Sequence, residues 1–109
     1  MTEAGDEEVW NLVMFDLPVV TKSQQRAANQ FRNMLLDLGY ERVQYSIYVR
    51  YLPIPSMGAS GIRMIKSNLP RGGAIRMINI SDHQWSSAFR FVDAEDVSVV
   101  DTPEELTIF

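Results

Sequence analysis

Three observations predict an α+β domain with the element order β-α-β-β-α-β. Two apolar runs of strand character, Val9 to Asp16 and Ala74 to Ser81, bracket the middle of the chain. Between them, stretches opening at Thr21 and near Ile62 carry apolar residues at three-four spacing, as amphipathic helices do. Separating those stretches, Tyr40 to Tyr51 alternates with a period of two. The order is that of the ferredoxin-like split βαβ sandwich, in which both helices lie on one face of a four-stranded sheet.

Each element has its own local reason. Val9 to Asp16 is apolar on both faces, with Trp10, Leu12 and Met14 on one and Val9, Val13 and Phe15 on the other, as a central strand requires. Leu17-Pro18 stops it. Thr21 and Gln24 have the spacing of a capping box. Ala27, Ala28, Phe31, Met34, Leu35 and Leu38 follow along one stripe, and Gly39 supplies a left-handed stop. The run from Tyr40 to Tyr51 is about twice the usual strand length, so a bend or tight hairpin near Gln44-Tyr45-Ser46 is expected to divide it. One face would then carry Val43, Tyr45, Ile47, Val49 and Tyr51. Pro53 and Pro55 break the chain, and Ile62, Ile65 and Leu69 mark a shorter helix that ends at Pro70. Gly58-Ala59-Ser60-Gly61 and Gly72-Gly73 lack the lysine and spacing of a phosphate loop and read as a helix start and turns. Phe89 to Val92, Val97 to Val100 and Leu106 to Phe109 are short strand candidates.

A chain of 109 residues with 46% hydrophobic content has the size of one domain. Residues 1–8 read as a disordered acidic leader, 9–85 as the domain, and 86–109 as a C-terminal strand extension. The absence of cysteine removes disulfides, thiolate zinc sites and thiol nucleophiles together. No apolar stretch approaches the ~20 residues of a membrane span and the acidic N-terminus is unlike a secretion signal, so a cytoplasmic protein is expected. The sheet face away from the helices needs a cover. A small domain with such a face dimerises through it, and the spare C-terminal strands could exchange across a homodimer. Leu106, Ile108 and Phe109 are too apolar for a free end and are assigned to that contact.

The net charge of −4 is unevenly spread. Residues 1–8 hold four acids and no base, and residues 93–109 hold six acids and no base. The body between them is +6, and eight of its ten bases are arginine, the side chain suited to forked phosphate contacts. Acidic ends that merely keep the chain soluble would explain this pattern. So would a basic body that meets a polyanion while its ends stay clear.

Asp16 is the leading candidate for chemistry, because an apolar strand delivers its carboxylate to a defined point at the sheet edge. The alternative is that it satisfies turn amides ahead of Leu17-Pro18. Lys22 and Arg26 stand in the first helical turns beside that strand end. With Arg50, Lys66 and Arg71 they are the bases placed on a phosphate-facing surface, where as a group they favour the backbone of duplex DNA. Tyr45, Tyr48 and Tyr51 could stack bases. Tyr45 and Tyr51 share a face with Ile47 and Val49, which favours core or dimer packing. His83, the sole histidine, reads as a surface residue in a polar turn. Nothing in the sequence joins it to Asp16 and Ser46 as a triad.

Six stretches in order resemble the type II form of CRISPR-associated protein two, the small adaptation protein of CRISPR immunity. They are Val13-Met14-Phe15-Asp16-Leu17-Pro18, Phe31-Arg32-Asn33-Met34-Leu35-Leu36, Gln44-Tyr45-Ser46-Ile47-Tyr48, Lys66-Ser67-Asn68-Leu69-Pro70 with Gly72, Ser81-Asp82 with Gln84, and Glu105-Leu106-Thr107-Ile108-Phe109. The resemblance covers roughly residues 9–109. It implies a ferredoxin-like homodimer that bridges integrase subunits and holds incoming duplex spacer DNA. It also implies an endonuclease dependent on Mg²⁺ or Mn²⁺ and centred on Asp16, acting on RNA or DNA. One carboxylate is a thin metal site, since Mg²⁺ usually takes one or two carboxylates plus waters and phosphate. A two-fold dimer would bring a second Asp16 to the same point. Two roles stay open, a metal-dependent nuclease and a structural adaptor that spaces the integrase. A toxin-like messenger-RNA endonuclease on the same fold is a further alternative, against which Asn68-Leu69-Pro70 and the Leu106 to Phe109 tail argue.

Overall fold

Strand β1 (Val9–Asp16) is the axis of the molecule, because it pairs on both edges, along its whole length on one and from Val9 to Met14 on the other. A computed structural model describes residues 7–98 of the chain. Helix α1 spans Lys22–Asp37, β2 Glu41–Gln44, β3 Ile47–Leu52, α2 Ala59–Ser67 and β4 Ala74–Ser81. The sheet order is β2-β3-β1-β4, with each neighbouring pair antiparallel. A 3₁₀ turn, Pro55–Gly58, leads into α2.

Residues opposite one another across an antiparallel pair share a face. Val13 stands opposite Tyr48 and Met77, and all three turn toward the helices. There Val13, Phe15, Phe31, Leu35, Tyr40, Tyr48 and Ile65 form the core, with Ile75 and Met77 packed against it. Since α1 supplies Phe31 and Leu35 and α2 supplies Ile65, both helices cover the same side. Each such side chain contributes roughly 1.5–3 kcal/mol on burial. The Phe15 ring meets Phe31 edge-on with centroids 5.1 Å apart and lies against Tyr48 at 5.7 Å. The second face carries Trp10, Leu12 and Met14 with Tyr51, Val49 and Ile47 on one side and Ile80, Ile78 and Arg76 on the other.

Local chemistry explains the helix ends. The Thr21–Gln24 capping box is formed in both directions. At the C-terminus Tyr40 N donates to Leu35 O and Gly39 N to Leu36 O, the Schellman pair, with Gly39 at φ +94°. The long alternating run is divided as expected: β2 ends at Gln44, Tyr45-Ser46 make the turn, and β3 starts at Ile47. A register shift between Arg42 and Gln44, followed by that turn, breaks the single face expected for Val43 through Tyr51. Tyr40 and Tyr48 are the buried tyrosines of the run, and Tyr45 is exposed.

The expected polar turn around His83 is a short helix, α3 (Asp82–Ser86), opened by a second capping box between Ser81 and Gln84. Trp10 Nε1 donates to Asp82 Oδ1 at 2.8 Å, and Trp85 stacks on Trp10 with centroids 5.1 Å apart. Downstream, β5 (Phe91–Val92) and β6 (Glu95–Asp96) form a separate hairpin turned by Asp93 and Ala94, both at positive φ. Two-residue turns of this hand suit the twist of paired strands, and this one draws β6 ahead of the expected Val97 to Val100. Residues 1–6 of the leader, and the strand and dimer contact assigned to Leu106, Ile108 and Phe109, lie outside the described residues.

A polar chain crosses the core. The Tyr40 hydroxyl donates to Asn11 Oδ1, and Asn11 Nδ2 donates to Asn79 Oδ1 at 2.7 Å. Asn11 is only 3% exposed, so its oxygen depends on Tyr40. Burial pushes the Tyr40 hydroxyl pKa up, and the Arg50 cation offsets part of that rise. Because the folded value is raised, this contribution is fully present below the ordinary tyrosine value of about 10 and is lost as pH climbs through the folded value. Tyr40→Phe is expected to cost about 1–3 kcal/mol at neutral pH by stranding Asn11 Oδ1, and to flatten the alkaline loss. Urea unfolding from neutral to strongly alkaline pH measures both.

Candidate functional site at the end of the first strand

Asp16 closes β1 opposite Ala74, the first residue of β4. It is exposed and shares the parity of Met14 and Arg76, on the sheet face away from α1 and α2. Its backbone is braced from three directions. Phe15 N donates to Ser46 O at 3.1 Å, tying the strand end to the β2–β3 turn. Pro18 fixes the chain beyond it and lies beside Gly72. Gly73 approaches so closely that a Cβ there would stand 2.4 Å from the Asp16 carbonyl oxygen and 2.7 Å from Leu17 Cδ2. Only glycine admits that approach. The alternative in which Asp16 serves turn amides is not realised, since no hydrogen bond from a described residue reaches its carboxylate.

A shallow depression of about 620 Å³ surrounds this point, with Asp16, Gln44, Tyr45, Ser46 and Arg76 on its rim. Arg32, from α1, holds one wall. It donates through Nη1 to the Tyr45 carbonyl and through Nη2 to Ser46 Oγ at 3.3 Å. Its guanidinium lies 4.3 Å from the Tyr45 ring centroid and 4.9 Å from that of Phe15. A half-buried cation that packs on two rings and caps a turn carbonyl is a rigid fixture. Arg42 flanks the same Tyr45 ring at 5.7 Å. Tyr45 is 68% exposed, so the expectation of core packing for it is corrected.

The other bases divide. Lys22 and Arg26 are exposed at the start of α1; Lys66 is exposed in the last turn of α2, and Arg71 in the loop that follows. A groove runs between Ala27, Gln30 and Phe31 of α1 and Asn68, Leu69 and Pro70 after α2, and the chain enters α1 from Asp16 and leaves α2 toward Ala74, its partner across the sheet. Arg50 stands elsewhere. It is half-buried on β3 opposite Asn11, with Gly39 and Gly61 against its guanidinium. Ser46 lies close to Asp16, whereas His83 is exposed on α3 at the far end of the sheet, where Ser81 pairs with Val9. Arg32 and Arg76 were not among the candidates read from sequence. Arg76 could have been found by pairing the two long strands antiparallel; Arg32 left a trace only as a cation next to the apolar stripe of α1.

The residues present fit a hard cation weakly. Among the described residues no cluster of three or more His, Cys, Asp or Glu could hold a metal. Asp16 is the sole carboxylate of the depression, with the Ser46 hydroxyl and Gln44 amide as oxygen neighbours. Such a set suits Mg²⁺ or Mn²⁺ held by one carboxylate and completed by water and phosphate. No helix among the described residues is long and apolar enough to cross a membrane.

Comparison with known proteins agrees with this layout. The family model described as CRISPR associated protein Cas2 matches residues 9–88. The chain is 34% identical over 105 residues to the CRISPR-associated endoribonuclease Cas2 of Paracidovorax avenae, covering 96% of this chain and 97% of that protein. It is 32% identical to the protein of the same description from Flavobacterium psychrophilum, covering 93% and 88% respectively. Crystalline Streptococcus pyogenes Cas2 at pH 6.5 superposes with a TM-score of 0.61 at 15% identity, over 76% of this chain and 99% of that one. With the match spanning both faces of the sheet and the Asp16 turn, the chain belongs to the Cas2 family of CRISPR-associated proteins.

Proposed function

We propose that this chain is a CRISPR adaptation protein, a homodimer that bridges integrase subunits and grips duplex spacer DNA, with a divalent-metal endonuclease site at Asp16. The observation that carries this reading is the placement of Asp16. Its exposed carboxylate lies on the sheet face away from the helices, the same apolar face a second copy would cover, so a two-fold pairing brings two carboxylates into reach of one ion. The strand order and the single-sided helices support a ferredoxin-like sandwich, and the C-terminal segment is the candidate for strand exchange.

In that site Asp16 would hold Mg²⁺ or Mn²⁺, with Ser46 and Gln44 beside it. When bound, the ion supplies polarisation of a phosphodiester and acidification of water. Gly73 and the Phe15–Ser46 bond brace the backbone that carries the carboxylate, and Arg76 offers its charge to a phosphate. No histidine lies in the depression to move a proton, which predicts slow hydrolysis and suits an adaptor whose main work is binding.

Three measurements test this. Nuclease activity should require Mg²⁺ or Mn²⁺, and Asp16→Asn should lower it about a hundredfold, the scale of losing one key transition-state contact. Activity that survives the substitution or is indifferent to chelator removes the metal site. Arg26→Glu with Arg71→Glu should weaken duplex DNA at any sequence, lower the log–log salt slope by about 2, and abolish spacer acquisition, while Asp16→Ala leaves acquisition intact. Arg50 is left out of that pair because its reversal would also disturb the packing beneath the helices. Light scattering should show a dimer that Ile78→Glu or truncation after Asp101 weakens. Two apolar side chains buried per subunit contribute roughly 3–6 kcal/mol, so a tight dimer in both variants would move the interface elsewhere.

A further inference from the structure

The last carbonyls of an α-helix have no partner within it, so the residues that follow must serve them. At the end of α2 the Asn68 side chain does this, with Nδ2 donating to Met64 O at 2.9 Å. The same nitrogen lies 3.3 Å from Met64 Sδ. A thioether is a weak acceptor, so it leaves the amide to the carbonyl. Met64 is 48% exposed on the wall of the groove that faces Phe31 and Met34. That groove lies between the helices, on the far side of the sheet from the face a second copy would cover. Beyond Asn68 the chain passes Arg71 and reaches Gly72 beside Pro18 and Gly73 against the Asp16 carbonyl. The cap of α2 is therefore the anchor of the loop that braces the end of β1.

We propose that Met64 is a site of reversible oxidation by peroxide, and that its sulfoxide uncaps α2 and loosens the loop carrying Arg71. Hydrogen peroxide delivers one oxygen to Sδ: the O–O bond breaks, the S–O bond forms, and water leaves. The sulfur loses two electrons and the peroxide gains them. The chain has no cysteine, so no thiol competes for the oxidant. Met34 and Met77 are partly buried against the core and are slower to react. Met57 is 54% exposed in the turn ahead of α2 and is a control for simple access. What sets Met64 apart is the consequence. A sulfoxide oxygen is a strong acceptor within reach of Asn68 Nδ2, and it draws that amide away from the Met64 carbonyl. It also places a polar group on the apolar wall of the groove. Both changes free the last turn of α2, with Lys66, and the segment that leads to Arg71. The effect on nucleic acid rests on the reading of Lys66 and Arg71 as phosphate contacts; the uncapping does not.

Full-length protein treated with hydrogen peroxide and mapped by mass spectrometry should show Met64 converted alongside Met57 and ahead of Met34 and Met77. Deuterium exchange over residues 64–73 should then be about tenfold faster in the oxidised wild type and unchanged in Met64→Leu treated in the same way. Methionine sulfoxide reductases should restore the slow exchange. Duplex DNA should bind the oxidised protein about fivefold more weakly, as expected when one or two phosphate contacts are loosened. A Met64 thioether that survives full conversion of Met57 overturns the proposal. So does unchanged exchange in the oxidised wild type, or an equal rise in Met64→Leu. Faster exchange with unchanged DNA affinity supports the uncapping and instead removes Lys66 and Arg71 from the phosphate-binding surface.

Discussion

Everything in this molecule depends on β1 being paired along both edges at once. Six residues of β3 and eight of β4 are registered against it, and that double pairing assigns each of its side chains to one of two faces. Odd positions go to the helices and build the core. Even positions go to the other face, and Asp16 is the last of them. A slip of one residue on either edge would exchange the two sets, and the Asn11 amide between Tyr40 and Asn79 opposes such a slip by having partners in only one alignment.

The site is a by-product of the same constraint. Antiparallel pairing sets the end of β1, the β2–β3 turn and the start of β4 at one end of the sheet. Residues far apart in sequence, Asp16, Ser46 and Arg76, then line one depression without any element dedicated to it. The helices add their charges because α1 begins, and α2 ends, at that edge. Lys22, Arg26, Lys66 and Arg71 thus lie toward the end of the sheet that carries the lone carboxylate of the depression, while Arg50 stays apart.

Much of this could be read from the sequence, and for identifiable reasons. The capped helix α1 follows from Thr21, Gln24 and Gly39, the strand ends from Pro18 and the glycine pair, and the division of the long alternating run from its length. Asp16 was visible because an acid ending an apolar strand is uncommon. What escaped has a common cause, which is dependence on contacts between distant residues. Tyr45 leaves the face that alternation assigns it because a bulge and an arginine from another element redirect it. Arg50 looks like a surface cation until two glycines receive its guanidinium. Helix α3 is the exception, since Ser81 and Gln84 repeat the signal of Thr21 and Gln24 and could have been recognised.

The stacking of Trp10 on Trp85 gives the protein an optical signal of its own. The chain has two tryptophans, and both sit in this one contact, at the end of the sheet remote from Asp16. Intrinsic emission therefore reports whether α3 stays docked on β1, and it is blind to ordinary events at the carboxylate, where the aromatic residues are tyrosine and phenylalanine. Emission that changes when nucleic acid or a partner is added would have travelled the length of the central strand.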